Sequence, residues 1–407
     1  MFSFIHTADI HLDSPLRGLN QHADAPVDQI RGATRRALDR LVSLALEKNV
    51  DFLLIAGDLY DGDWPDYSTG LFFNKQMSRL NEANIPVYLI SGNHDAASKI
   101  TKSLKPPANV TVLSTKVPET VLIDGLPVAI HGQGFATQSV TENLVLEYPS
   151  ASPKRFNIGM LHTSLTGNPQ HDPYAPCSIN DLTEKGYDYW ALGHIHQHAV
   201  VHESPHIVYS GNPQGRHIKE TDERGCYFIE VTDDLTIKQL SFEVTDVVRW
   251  KALEIDISSL VDADALLEQI TQHMETALAE ANGRLLALRI TLVGDSPLHD
   301  KLHAQLSQWQ AECVSIAAQV ERLRIKTNPT YDPQELAQRD DLTKLVLEAL
   351  NDFTPSKVPA PVAQLRDKLK DIGNKDLQSL LALSDADDQL KQDVSAIVLQ
   401  SISSSAS

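Results

Sequence analysis

Short apolar runs that end in polar residues recur along the first half of the chain. Five such runs cover residues 2–8, 52–56, 85–90, 156–161 and 189–192. Four to eight apolar residues bounded by Gly, Asp or Asn are typical of buried β-strands. Apolar residues at helical spacing fill 27–48 and 67–83, between the first three runs. The resulting order, β-α-β-α-β, predicts an α/β fold.

The residues that follow these five runs share one chemistry. Eight of them are good metal ligands or proton donors: Asp9, His11, Asp58, Asn93, His94, His162, His194 and His196. Polar residues just past buried strands can converge on one edge of a sheet system. Carboxylate, amide and imidazole groups together suit Mn, Fe, Zn or Co better than Mg or Ca. Two divalent ions about 3.5–4 Å apart need an anionic ligand that they share. We therefore expect a two-metal site.

The order of these motifs resembles that of the calcineurin-like metallophosphoesterases. Their pattern D-x-H, G-D, G-N-H-[DE], a lone His and G-H-x-H stands here at residues 9–11, 57–58, 92–95, 162 and 193–196. Residues 6–13 and 57–61 also resemble the SbcD-type DNA repair exonucleases. The block 211–216 and the chain length are similar to the YhaO-like bacterial branch of that group.

This resemblance implies a four-layer αββα sandwich and a centre with two divalent ions. Mn²⁺ is the first expectation, with Fe²⁺, Co²⁺ or Zn²⁺ as alternatives. Asp58 would bridge the ions. One ion is assigned to Asp9, His11 and His196, and the other to Asn93, His162 and His194. His94 would protonate the leaving oxygen, and Asp95 would orient the His94 ring.

Four further residues are candidate substrate contacts: Arg17, Asp61, Arg216 and His217. Arg17 lies in the loop that follows the first motif. Arg216 and His217 end a loop with two glycines that could direct backbone N–H groups at phosphate. Some relatives carry a His at the position of Asp61 that helps to place the phosphate. A carboxylate cannot donate a proton at neutral pH, so the role of Asp61 is left open.

Changes in composition divide the chain into three predicted parts. Residues 1–245 hold all the motifs and form the predicted metallophosphoesterase (nuclease) domain. The resemblance implies a small α+β cap domain at 246–330. Residues 331–407 combine a Pro-rich linker, apolar residues at helical spacing and a Ser-rich tail that we expect to be disordered. The helices there either close on themselves or bind the coiled coil of an SMC-like ATPase subunit.

Charge, cysteine content and hydropathy limit the classes of function. The 407-residue chain carries a formal net charge of −19, which opposes unaided binding of nucleic acid. No apolar run approaches the ~18 residues that a membrane helix needs, so we expect no membrane contact. Three widely spaced cysteines and a start without a basic segment favour a cytoplasmic protein with reduced thiols.

Three functions follow from these observations. The first is a metal-dependent DNA exo/endonuclease subunit, with DNA and an SMC-like ATPase as partners, in a homodimer or hetero-oligomer. The second is a phosphodiesterase or phosphatase that acts on nucleotides or phosphoproteins. The third is a non-catalytic scaffold, which the complete set of eight site residues disfavours.

Overall fold

The computed structural model describes residues 1–16, 32–61, 67–97, 105–165, 174–316 and 319–330. Arg17 and the predicted helical region 331–407 lie outside these residues. The chain divides into two compact units. The first contains Met1–Lys251 and Ala281–Ala287, and the second contains Ala252–Glu280 and Leu288–Ser407, of which residues up to 330 are described.

Two mixed sheets build the first unit. Its strands are β1 Phe2–Thr7, β2 Phe52–Ala56, β3 Val87–Ile90, β4 Val110–Val112, β5 Glu119–Leu122, β6 Val128–Gly132, β7 Phe156–His162, β8 Tyr189–Gly193, β9 Ala199–Glu203, β10 His206–Tyr209, β11 Gly225–Val231 and β12 Ile237–Val244. One sheet has the order β12-β11-β1-β2-β3-β4 and the other has the order β5-β6-β7-β8-β10-β9. Strands β1 to β4 pair in parallel, as do β6, β7, β8 and β10.

The helices of this unit are α1 Ala33–Glu47, α2 Ser68–Glu82, α3 Asn93–Ala97 and α4 Ile179–Thr183. A 3₁₀ turn, Leu144–Glu147, precedes β7. The two long helices agree with the stretches predicted at 27–48 and 67–83, within the residues that are described.

Successive apolar side chains along β1 pack against different layers of the fold. Phe4 of β1 and Phe52 of β2 stack with ring centroids 4.9 Å apart. Phe4 also meets Tyr189 of the second sheet edge-on at 5.4 Å, so the two sheets face each other. Ile5, the next residue along β1, packs with Leu38 of α1 on the other side of the sheet. This alternation is that of strands buried on both faces, and it confirms the predicted α/β sandwich.

The outer face of the second sheet is also covered. Trp190 of β8 packs with Tyr148 and with Leu182 of α4 in a separate apolar cluster. The indole N–H of Trp190 donates to the carbonyl of Leu182 at 3.1 Å. Helical segments therefore lie on the outer faces of both sheets, as the αββα arrangement requires.

A smaller sheet with helices follows in the chain. Its elements are β13 Val248–Asp256, α5 Ala263–Glu280, β14 Leu285–Ser296, α6 His299–Ala304, α7 Leu306–Ile316 and β15 Gln319–Pro329, with the sheet order β13-β14-β15. Helix α5 buries Leu266, Ile270, Met274 and Ala277, which lie on one helical face. The α+β character agrees with the expectation for 246–330, and the role of this region as a cap stays a prediction. None of the described helices is both long enough and apolar enough to cross a bilayer.

Candidate metal centre

The predicted site residues follow the carboxyl ends of five strands. Asp9 and Asp58 follow β1 and β2, Asn93 follows β3, and His162 and His194 stand at the ends of β7 and β8. Parallel strands place their carboxyl ends at the same edge of a sheet. The two sheets bring these edges together, because Nε2 of His162 lies 3.0 Å from Oδ1 of Asn93 and 3.4 Å from Oδ2 of Asp58.

Three overlapping groups of side chains have the spacing of metal ligands. They are Asp9–His11–His196, Asp9–Asp58–His162 and His11–Asp58–His94, and the ligand atoms of each group lie within 4.8 Å of one another. Asp9, His11 and Asp58 each belong to two groups. Two carboxylates among several imidazoles form a donor set that fits divalent transition-metal ions.

The backbone at this edge adopts an unusual conformation. Asp9, His11, Asp58 and His194 have φ angles of 52°, 44°, 50° and 95°, in the left-handed region. Each such non-glycine residue costs about 1–3 kcal/mol, so the surroundings must hold it. The N–H groups of Asp9 and His11 donate to the carbonyls of Gly57 and Asp58, both at 3.0 Å. Pairing of these two loops thus holds Asp9, His11 and Asp58, while the N–H of His194 donates to the Asp9 carboxylate.

At two glycines of the motifs, a neighbouring loop lies so close that no side chain would fit. A Cβ atom at Gly92 would lie 2.3 Å from Oδ1 of Asp58. A Cβ atom at Gly193 would lie 2.0 Å from the carbonyl oxygen of Ala56 and 2.8 Å from Nδ1 of His162. The glycines of the G-N-H and G-H-x-H motifs therefore allow the ligand loops to pack against each other.

Asp58 and His162 form a buried pair of opposite charges. Oδ1 of Asp58 accepts the backbone N–H of His94 at 2.9 Å, while Oδ2 faces His162. Burial by itself would raise the pKa of Asp58, but the charge and hydrogen bond of His162 outweigh it and lower the pKa. Burial would likewise lower the pKa of His162, but Asp58 raises it to about 9. Nδ1 of His162 lies 3.0 Å from the carbonyl of Ala56, which leaves Nε2 directed at the carboxylate. A bound cation would take the place of the proton between these groups.

Asp9 and His11 are the buried ligand-type residues of the first motif. Burial raises the pKa of Asp9, whose two oxygens accept the backbone N–H of His194 at 3.1 and 2.9 Å. Burial, together with the charge of Arg216, lowers the pKa of His11 to about 3. His11 is therefore neutral at physiological pH, which is the form that binds metals. The rings of His162 and His194 meet edge-on at 5.3 Å.

His94 is held by a carboxylate other than the one predicted. Nδ1 of His94 lies 3.0 Å from Oδ1 of Asp61. Burial alone would lower the pKa of His94, but the hydrogen bond to Asp61 and the charge of Asp58 raise it overall.

The oxygens of Asp95 have other partners. Oδ1 accepts the N–H of Tyr60 at 2.9 Å, and Oδ2 accepts those of Gly92 and Leu59 at 3.0 and 3.2 Å. These bonds take up both Asp95 oxygens, so the predicted role of Asp95 in orienting the His94 ring has no direct contact behind it and stays a prediction. Asp95 satisfies backbone donors of two loops, and Asp61 contacts the ring.

A cleft of about 750 Å³ opens beside these residues, and its lining includes Asp58, His94, His217 and Lys219. The side chain of His217 is 33% exposed. The side chain of Arg216 is only 14% exposed, and its guanidinium lies 3.5 Å from Asp61. His217, Lys219 and Arg216 all line the cleft, and the Arg216 guanidinium also lies between the carboxylates of Asp61 and Glu220.

Comparison with known proteins identifies the family. The sequence profile described as "Calcineurin-like phosphoesterase" matches residues 2–198, and that described as "Metallophosphoesterase YhaO, middle domain" matches residues 250–328. A Bacillus subtilis (strain 168) protein, "Uncharacterized metallophosphoesterase YhaO", is 35% identical over 300 residues, which are 72% of each chain. The chain belongs to the calcineurin-like phosphoesterases.

Solved structures are similar at lower identity. A dimetal phosphatase from Danio rerio is 11% identical and has a TM-score of 0.35, with 60% of this chain and 99% of that chain covered. The phosphoesterase Yfce from E. coli is 16% identical and has a TM-score of 0.25, with 59% of this chain and 98% of that chain covered.

As a calcineurin-like phosphoesterase, the protein is a phosphoester hydrolase with clustered Asp and His residues that suit divalent metals. One residue of this centre was missed by the sequence-based predictions. Oε1 of Glu220 lies 2.7 Å from Nδ1 of His196. Its only signal in the sequence is a position four residues beyond Arg216, at the end of the glycine-containing loop.

Proposed function

We propose that this calcineurin-like phosphoesterase is a metal-dependent DNA phosphodiesterase, an exo/endonuclease in DNA repair that works with an SMC-like ATPase. The observation that carries the catalytic part of the proposal is the position of His94. Its ring contacts Asp61 and belongs to one group of ligand-type side chains with His11 and Asp58. A proton donor therefore stands beside the residues that would hold the metals.

The proposed ligands divide between two ions, with Asp58 shared. Asp9, His11 and His196 would hold one ion, and Asn93, His162 and His194 the other. Mn²⁺ is the proposed metal, with Fe²⁺, Co²⁺ or Zn²⁺ as alternatives. When bound, such ions supply a water of lowered pKa and neutralise the charge that develops on a phosphate.

The protein's own residues control the proton. Asp61 holds Nδ1 of His94, so Nε2 is the nitrogen that can pass a proton to the leaving sugar oxygen. The raised pKa of His94 keeps more of the ring protonated near neutral pH. A positioned general acid of this kind contributes about 10²–10⁴-fold to the rate.

DNA is the proposed substrate because the cleft carries His217 and Lys219 next to the site. The net charge of −19 repels a polyanion at long range. A partner that supplies cationic surface would overcome this repulsion, and an SMC-like coiled-coil ATPase is the proposed partner. A substrate with fewer phosphates than DNA is repelled less, which supports a second candidate, a phosphodiesterase or phosphatase for nucleotides or phosphoproteins.

The test uses metal-free protein supplied with Mn²⁺, alone and with a co-purified partner. Linear duplex DNA, single-stranded DNA and bis-p-nitrophenyl phosphate are the substrates. We expect DNA cleavage by the wild type, a loss of about 10²–10⁴-fold in His94→Ala, and unchanged Mn²⁺ binding in that variant. His206→Ala, in β10, is the matched control.

Each other outcome has a definite meaning. Cleavage of the dye ester alone supports the second candidate. Absence of cleavage with every metal supports a non-catalytic scaffold. Full activity in His94→Ala removes His94 from the mechanism.

A further inference from the structure

Glu220 is a buried carboxylate whose two oxygens both have partners at the metal centre. It is 5% exposed. Oε1 lies 2.7 Å from Nδ1 of His196, and Oε2 accepts the side-chain N–H of Asn212 at 2.9 Å and the backbone N–H of Arg216 at 2.7 Å. A charged group out of water needs such a complete set of donors.

The contact with Glu220 decides which nitrogen of His196 is available for a metal. Because Nδ1 donates to the carboxylate, Nε2 is the nitrogen that offers a lone pair in the neutral ring, which is the form that binds metals. Nε2 lies 3.2 Å from Nε2 of His11 and 3.9 Å from Oδ1 of Asp9. The ring is thus held with its acceptor nitrogen directed at one of the ligand groups.

The loop that carries Glu220 is itself fixed to the backbone of His196. The carbonyl of His196 accepts the N–H of Asn212 at 3.2 Å and also a hydrogen bond from the Arg224 guanidinium. Gly211 has a φ of +70°, and a Cβ atom there would lie 2.8 Å from the His196 carbonyl oxygen. Backbone and ring of His196 are therefore held by the same segment, residues 211–224.

We propose that Glu220 is a positioning residue of the metal centre, which fixes the His196 ring so that Nε2 faces Asp9 and His11. The proposal rests on the two-metal function proposed above. It also explains the G-N-P-Q-G-R loop, because this loop begins the segment whose carboxylate holds a metal-ligand histidine.

The test compares Glu220→Gln, Glu220→Asp and a control, Glu223→Gln. Glu223 lies in the same segment with a 52% exposed side chain and pairs with Arg249. Each metal-free variant is titrated with Mn²⁺ by calorimetry, and its melting temperature is measured in EDTA. In Glu220→Gln we expect one of the two ions to bind about 10- to 100-fold more weakly, and Glu223→Gln to match the wild type. Glu220→Asp keeps the charge and should recover part of the affinity.

A second measurement does not depend on metal. In metal-free protein labelled with ¹⁵N-histidine, the His196 ring should show the Nδ1-protonated tautomer, and Glu220→Gln should shift it towards a mixture of tautomers. His196→Gln identifies the signal. Unchanged Mn²⁺ affinity and an unchanged His196 signal in Glu220→Gln would overturn the proposal. Equal loss of affinity in Glu220→Gln and Glu223→Gln would also overturn it, because the effect would then be general destabilisation.

The failure of this proposal is distinguishable from that of the proposed function. If the wild type cleaves DNA and Glu220→Gln binds Mn²⁺ normally, only the role of Glu220 is rejected. If the wild type binds two Mn²⁺ ions and Glu220→Gln loses one, but no ester is cleaved, the role of Glu220 stands and the nuclease function is rejected. If the wild type binds no Mn²⁺, both are rejected.

Discussion

Asp61 and Asp95 are both near His94 in space, yet their partners differ completely. Asp61 faces the imidazole ring and also accepts the hydroxyl of Ser14 at 2.8 Å. Asp95 accepts three backbone N–H groups and is buried. A carboxylate beside a histidine ring affects its protonation and orientation, whereas one that holds backbone donors stabilises the loops.

Substitution by Asn should separate these two roles. Asp61→Asn should lower kcat about 10- to 100-fold, since His94, the proposed general acid, loses its charged hydrogen-bond partner, with a small effect on the free energy of unfolding. Asp95→Asn should lower the free energy of unfolding by about 1–3 kcal/mol, because an amide N–H would face backbone donors. Dye-ester kinetics and urea unfolding of both variants test this. The reverse pattern would contradict the assignment.

Among the elements, the short helix α4 depends on its first residue. The Ser178 hydroxyl accepts the N–H of Asp181 at 3.1 Å, and the Asp181 carboxylate accepts the N–H of Ser178 at 2.7 Å. The side chain of Asn143 also donates to Asp181 at 3.0 Å. A helix of five residues is marginal by itself, so this capping box and the burial of Leu182 hold it against the second sheet.

Ser178→Ala should therefore lower the free energy of unfolding by about 1 kcal/mol. The capping hydroxyl is lost, and the Asp181 N–H is left with water only. Asn180→Ala, at an exposed position of the same helix, serves as the control and should be neutral. Urea unfolding measures both variants. Equal stability of Ser178→Ala and the wild type would show that packing alone forms the helix.

At the scale of the whole molecule, the cluster between the two sheets combines aliphatic and aromatic side chains, and an ionisable ring lies beside it. His6 is fully buried between the sheets, with Nδ1 3.0 Å from the Tyr189 hydroxyl. Burial lowers the pKa of His6 from its ordinary 6.5 to about 3. The folded chain therefore keeps this ring neutral at a pH at which the unfolded chain protonates it.

This difference makes the stability of the molecule depend on pH. Below pH 6.5 the unfolded state binds a proton that the folded state does not. The free energy of unfolding therefore decreases as the pH is lowered from 6.5 to about 3. The loss from His6 is about 1.4 kcal/mol for each pH unit in this window. Urea unfolding in EDTA at pH 7, 6 and 5 should show a shallower decline in His6→Gln than in the wild type. The control His273→Gln should keep the wild-type slope, and an equal decline in His6→Gln would exclude the effect.

The sequence by itself determined the strands and the residue types at their ends. The five short apolar runs of the first unit form buried strands, and the polar residues that follow these runs stand at the edge where the strands end. The elements around Phe4, Phe52 and Tyr189 were predictable for this reason. So was the proximity of Asp9 and Asp58, because parallel strands of one sheet end at one edge, whereas the approach of His162 depends on the packing of the second sheet against the first.

Only the tertiary structure decided which partner each side chain has. Asp61 rather than Asp95 contacts His94, Glu220 holds His196, and Asp9 and Asp58 adopt left-handed backbone angles. Each of these facts depends on contacts between loops that are distant in sequence. The local sequence pattern determines where a strand ends and which residue types follow it. Orientation and hydrogen-bond partners arise when separate loops pack within a few ångströms of one another.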